Sequence, residues 1–219
     1  YVSKSMENVY DFRIKFDSEK HSLNSVTYVQ SLISLTTILR EVNYQLGTGR
    51  NVEIKVVAQE PGSFDVLMLL LDSSRAEQLF NRDNLETLSW LVGTTVGIIQ
   101  LRKWAKKADF EKTEINGDDV SIKNRDGVVI YQTNKNVYNI FTTNQAVHDA
   151  VSDQFRELEN DKEVTGFEIN SDAESARIER EEFKDVGERF QVDIKDKDVS
   201  VIPAKLVIVK LVFENRDRK

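Results

Sequence analysis

Glu53-Ile54-Lys55, followed by Asp65, is the pattern in this chain that comes nearest to a catalytic constellation. A metal-dependent nuclease sets a carboxylate on one strand and an acid-x-Lys on the next. A divalent cation and an ammonium group then flank the scissile phosphate. Here Glu53, Lys55 and Asp65 fall on two adjacent predicted strands, and Asp193-Ile194-Lys195 repeats the triplet on another. The order is the reverse of the usual one, because Glu53 and Lys55 precede Asp65. Acid-x-Lys triplets also arise by chance where 31% of residues are charged, so a solvent-facing strand surface accounts for them better.

A second candidate is basic and aromatic. Arg102, Lys103, Lys106 and Lys107 surround Trp104, with Lys112 soon after. Such interleaving can hold single-stranded nucleic acid by stacking and phosphate contact. The competing reading is structural: cations at a helix C-terminus stabilise its dipole, and Trp104 continues an apolar face. The overall charge weighs against nucleic acid, since 37 acidic residues against 30 basic ones leave −7, whereas phosphate neutralisation favours a basic excess. Asp172 to Glu188 is acidic and mixed in sign, which reads as a solvated face or a docking surface for a basic partner.

Other chemistries lack their residues. The chain has no cysteine, which removes thiolate catalysis, disulfides, iron–sulfur clusters and cysteine-ligated zinc. His21 sits in a polar turn and His148 lies on a helix before Asp149; both are expected at the surface, with no metal-ligand spacing around them. There is no G-x-S-x-G elbow, no phosphate-binding G-x-x-x-x-G-K-[ST] and no G-x-G-x-x-G. No cofactor and no metal are expected, and the balance leans away from an enzyme.

The elements that would position these residues follow from periodicity. Val9 to Phe16 alternates apolar and polar residues, as a half-buried strand does. From Asn24 to Leu46 apolar residues recur three or four apart, predicting a long helix capped by Asn24 or Ser25 and stopped at Gly47. Asn51–Ala58 and Ser63–Leu71 are strands joined across Pro61-Gly62, and the near-continuous apolar run Val66–Leu71 predicts a central strand covered on both faces. A short helix is expected over Asp72–Phe80 and a second long one over Asn84–Lys107. The apolar middle of the latter, Trp90 to Leu101, falls short of the ~20 residues that span a membrane, so it reads as a core helix. Its G-x-x-x-G, Gly93 and Gly97, predicts close packing rather than dimerisation.

Phe110–Ile115, Val120–Lys123 and Val128–Thr133, separated by Asn-Gly-Asp-Asp and Asn-Arg-Asp-Gly, predict a three-stranded meander. A helix follows over Asn134–Asn160, then a strand over Val164–Ile169. A short strand near Arg177–Ile178 and a helix near Glu181–Val186 come next. The last strands are expected over Gln191–Ile194, Val199–Ile202 and Lys205–Phe213. Strands and helices interleave without a regular βαβ rhythm, so the expected class is α+β with a mixed or antiparallel sheet. The division expected is 6–108, an N-terminal α/β unit with two long helices, and 109–219, a meander–helix–strand unit. Tyr1 to Ser5 read as residues ahead of the natural start at Met6.

FRIKFD, VEIKVVAQEPGSFDVLMLLL, LVGTTVGIIQLRKW, VTGFEI and AKLVIVKLVF together resemble an uncharacterised family of bacterial and mobile-element proteins. The likeness spans most of the chain and rests on fold-like patterns, so it carries over no activity and no site residue. It implies a chain that continues past Lys219. With no cationic, apolar leader and no cysteine, the expected location is the cytoplasm. The expected role is a non-enzymatic interaction or regulatory domain, bound to a protein partner or to its own kind and not to a membrane. The rivals are a nucleic-acid-associated protein and a metal-dependent nuclease or hydrolase.

Overall fold

Alternation along Val9–Ser18 makes the first strand, β1: Tyr10, Phe12, Ile14 and Phe16 are buried while Asp11, Arg13 and Lys15 are exposed. The computed structural model describes residues 9–20, 22–57, 64–72, 83–105, 112–123, 126–172 and 174–192. Helix α1, Ser25–Gln45, starts where the Asn24 side chain accepts the Val26 N–H at 2.9 Å, and Gly47 follows it at φ 61°. Strands β2 (Val52–Val56) and β3 (Asp65–Asp72) pair antiparallel, and helix α2 (Asp83–Ala105) follows.

The meander forms as its turn residues predict: β4 (Lys112–Asn116), β5 (Asp119–Lys123) and β6 (Val129–Asn134) make a three-stranded antiparallel sheet. The single helix expected over 134–160 is two, α3 (Lys135–Thr143) and α4 (Gln145–Asn160). Asn144 breaks it. Its backbone is extended (φ −106°, ψ 99°), and its side chain caps α4 by accepting the Val147 N–H at 3.0 Å. Strands β7 (Val164–Asn170) and β8 (Ser175–Glu179) and helix α5 (Arg180–Gly187) complete the described chain. Of the strand expected over 191–194, Gln191 and Val192 are irregular. The remainder of it, the strands expected over 199–202 and 205–213, and the helix expected over 73–80 lie outside the described residues.

The class is α+β. The main sheet is antiparallel with order β2-β3-β1-β7-β8, so strands from either side of residue 108 share it. Helices cover one face: Phe155 of α4 meets Phe167 edge-on at 5.7 Å, and Tyr28 of α1 meets Phe16 at 5.8 Å. α2 packs against α3 so tightly that a Cβ on Gly97 would lie 2.9 Å from a Val137 methyl. Close packing is therefore what this glycine permits.

β3 is interior, but not covered on both faces. Val66, Met68 and Leu70 are buried, whereas Leu67, Leu69 and Leu71 are only partly so. Register places Arg13 beside Leu67, Asp11 and Lys55 beside Leu69, and Glu53 beside Leu71. Long charged side chains thus flank leucines on a solvent-facing surface. The apolar run signalled a strand correctly and its outer environment incorrectly.

Candidate functional site

The carboxylates proposed for metal chemistry do not converge. Glu53 faces Leu71 and Lys55 faces Leu69, while Asp65 lies at the far end of β3 opposite Lys15. Glu53 and Asp65 share a face but stand six residues apart along the ladder, roughly 20 Å at strand rise. Glu53 instead pairs with Lys55 at 3.5 Å and Asp65 with Arg13 at 3.3 Å, all exposed or half-buried. Among the described residues no three His, Asp or Glu side chains are grouped to hold a metal ion. Asp193 and Lys195 lie outside those residues.

The basic helix end divides in two. Arg102, one of the candidate phosphate contacts, is 1% exposed. Its guanidinium donates to the carbonyls of Val186 and Glu188 and to Ser152 Oγ, and sits 4.8 Å from the centre of the Phe190 ring. Burial pushes its pKa down to about 10, against the charge of Glu188, and it stays a cation at neutral pH. A guanidinium so enclosed ties α2, α4, α5 and the segment after it together and is not presented to a ligand. Lys103 and Trp104 do reach a groove; Lys106 and Lys107 lie outside the described residues.

His148, expected at the surface, is also 1% exposed. It stacks on Phe190 with centroids 4.3 Å apart and meets Phe141 edge-on at 4.7 Å. Nδ1 lies 3.3 Å from Arg102 Nη1 and Nε2 lies 2.5 Å from the Phe141 carbonyl oxygen. Arginine can only donate and a carbonyl can only accept, so these partners select the neutral tautomer with its proton on Nε2. Burial pushes the pKa down to about 4; the Phe141 bond opposes that shift and the neighbouring Arg102 charge adds to it. His21 lies outside the described residues.

What sequence reasoning missed is the groove that Lys103 and Trp104 help to line. It encloses about 420 Å³ between the C-terminal half of α2, Tyr131 of β6 and residues 175–178 of β8. Trp104 and Tyr131 pack with centroids 5.0 Å apart. Burial raises the Tyr131 phenol, with the charge of Glu174 adding to it, and burial alone raises the Glu174 carboxyl, as an apolar setting demands.

Among the described residues β8 is an edge strand of the main sheet. Its outward carbonyls are held by side chains of α2: Gln100 Nε2 donates to Ser175 O at 2.5 Å, and Lys103 Nζ donates to Arg177 O at 2.9 Å. In an antiparallel ladder the N–H of a residue points the same way as its C=O, so the Arg177 amide also faces outward. Lys103 is further anchored to Glu182 at 2.7 Å. The signal available in the sequence was Trp104 within a cationic run; its partner Tyr131 and the β8 edge come from distant segments. No helix among the described residues is long and apolar enough to cross a membrane. Compared with family models, with curated proteins and with solved structures, the chain matches none.

Proposed function

We propose that this chain is a non-enzymatic protein-interaction domain whose β8 groove takes an extended segment of a partner protein. The observation that carries the reading is the edge itself. Among the described residues β8 ends the sheet, and its outward Arg177 amide adjoins an apolar floor of Trp104 and Tyr131. Extended peptides bind such edges by main-chain hydrogen bonds and use neighbouring pockets for alternate side chains. Gln100 and Lys103 occupy the outward carbonyls through movable side chains that an incoming strand can displace. With only five residues in β8, the affinity expected is micromolar. The dispersed carboxylates favour binding over catalysis. On the family resemblance alone, the parent would be a bacterial or mobile-element protein, and the cysteine-free composition suits the cytoplasm.

The rival supported by a specific observation is single-stranded nucleic acid, for which Trp104 and Tyr131 would be a stacking platform and Lys103 a phosphate contact. Burial of Arg102 weakens it. The test is selection from a displayed random peptide library on the intact chain, followed by affinity measurement against Trp104→Ala. Peptides are expected to emerge, to lose about tenfold in Trp104→Ala, and to fail when alternate amides are N-methylated. No selected peptide, or equal binding to both chains, would overturn the proposal. Salt-dependent binding of single-stranded DNA that Trp104→Ala abolishes would install the rival.

A further inference from the structure

The β8 groove carries charges, and they differ in what already holds them. Lys103 is paired with Glu182 at 2.7 Å, and the Arg177 guanidinium is shared among Asp17, Glu168 and Glu179. Glu174, which immediately precedes β8, has no such arrangement. Among the described residues its side chain makes no ion pair and no hydrogen bond. The residue is exposed, yet its carboxyl is set against α2, with Oε1 3.8 Å from where a Cβ of Gly93 would stand. Burial alone raises its pKa, as befits a carboxylate stripped of part of its water and given no cation.

Its place along the groove follows from helix geometry. Gln100 and Trp104 follow Gly93 by seven and eleven positions, which at 100° per residue keeps all three within an arc of about 40°. Gln100 donates to the Ser175 carbonyl and Lys103 to that of Arg177, so β8 and α2 advance side by side in the same direction. Glu174 closes the end where β8 begins. Trp104 and Tyr131 stand at the other end, roughly 16 Å of helix rise from Gly93. An extended chain covers that span in about four to five residues, and its side chains share a face only at even spacing. The match is a separation of four.

A partner segment laid on β8 therefore sets one side chain on the aromatic pair and another on an uncompensated carboxylate. An acidic side chain there would put two carboxylates together, and an apolar one would cover Glu174 without a cation; both weaken binding. A nucleic-acid phosphate would meet the same repulsion. Lysine or arginine supplies the missing charge and lays its methylene stem along the groove. The surroundings act in the same sense, since residues 172–188 hold seven acids against three bases. We infer that the β8 groove selects basic peptides: a partner segment with an apolar side chain on Trp104 and Tyr131 and a lysine or arginine four residues away on Glu174. This charge preference rests on the reading of β8 as a docking edge and adds to it the kind of partner that docks.

The experiment selects from a displayed library of random peptides of about twelve residues, at about 50 mM salt, on the intact chain and on Glu174→Lys. Peptides taken by the parent chain should carry lysine or arginine four residues from an apolar residue, enriched by about threefold or more over the library. A synthetic copy of the tightest one should lose about tenfold in affinity for Glu174→Lys, and a similar factor when its basic residue becomes serine. Thermal unfolding of Glu174→Lys should match the parent, because the carboxyl holds no partner within the described chain. Peptides that need Trp104 yet show no basic preference, or that bind Glu174→Lys equally well, would overturn this inference and leave the docking edge standing. No selected peptide at all would overturn both.

Discussion

The Arg177 guanidinium on β8 reaches across β7 to the Asp17 carboxylate on β1, 2.7 Å away. The residue it crosses is Gly166, which register places beside Asp17 on one side and Glu179 on the other. A Cβ there would lie 3.1 Å from Asp17 Oδ2 and 3.3 Å from Arg177 Nη2. Arg177 also holds Glu179 at 2.6 Å and Glu168 at 3.3 Å, so one cation links three strands on the solvent face. Burial works against ionisation of Asp17, yet hydrogen bonds from Lys15 and Arg177 hold its carboxyl below the usual range.

The groups crowding Gly166 are the ends of exposed or half-buried side chains that can swing aside, and ion pairs near the surface contribute about 1 kcal/mol at most. Gly166→Ala is therefore expected to change stability by less than about 0.5 kcal/mol in urea denaturation. Gly97→Ala, whose new methyl meets the buried Val137 side chain, should cost about 1–3 kcal/mol. Equal effects from the two would contradict this account.

His148 makes stability fall in mild acid. Its folded pKa is lowered to about 4 by burial, whereas an unfolded histidine titrates near 6.5. Between those values the unfolded chain binds the extra proton, so stability rises with pH from about 4 to about 6.5 and then levels. The full contribution is about 3 kcal/mol from a shift of that size. Denaturation midpoints measured across this range should show the slope, and His148→Gln should flatten it.

Arg102→Leu removes the donor from two carbonyls, Ser152 Oγ and His148 Nδ1. The Glu188 carbonyl keeps the Ser152 hydroxyl, but the Val186 carbonyl and His148 Nδ1 lose this donor, at an expected cost of about 1–3 kcal/mol each. The same variant should raise the His148 pKa, because a neighbouring positive charge is gone, and an NMR titration of the imidazole reads that directly. A phosphate-contact role for Arg102 would predict neither change.

Asn144→Ala should cost about 1–2 kcal/mol by removing the α4 cap from a site that is 6% exposed. Asn144→Asp should keep most of the stability, since its carboxylate accepts the same N–H and suits a helix N-terminus. Thermal unfolding of the two variants side by side distinguishes a capping role from simple loss of packing.

Much of this was readable because it is local. The period-two run of β1, the Asn24 cap and the turn residues of the meander act within a few residues of themselves. The break at Asn144 was hidden because apolar spacing continues through it, from Ile140 and Phe141 to Val147 and Val151, and one side-chain hydrogen bond decides the matter. Burial of His148 did leave a trace: it stands three and seven residues before Val151 and Phe155, on their face of the helix. Arg102 likewise follows Ile98 by four. For a polar residue on an apolar helix face, phase is a better guide to burial than side-chain chemistry.

From the sequence by itself came the α+β class, the two long helices, the meander, and the absence of cysteine chemistry. Each depends on residue type or on spacing within one element. The tertiary structure alone decided the strand order β2-β3-β1-β7-β8, and with it the distance between Glu53 and Asp65, the enclosure of Arg102 by α4 and residues 186–190, and the meeting of Trp104, Tyr131 and β8. The physical reason is that strand pairing and helix packing join residues tens of positions apart through surface burial that no single segment encodes.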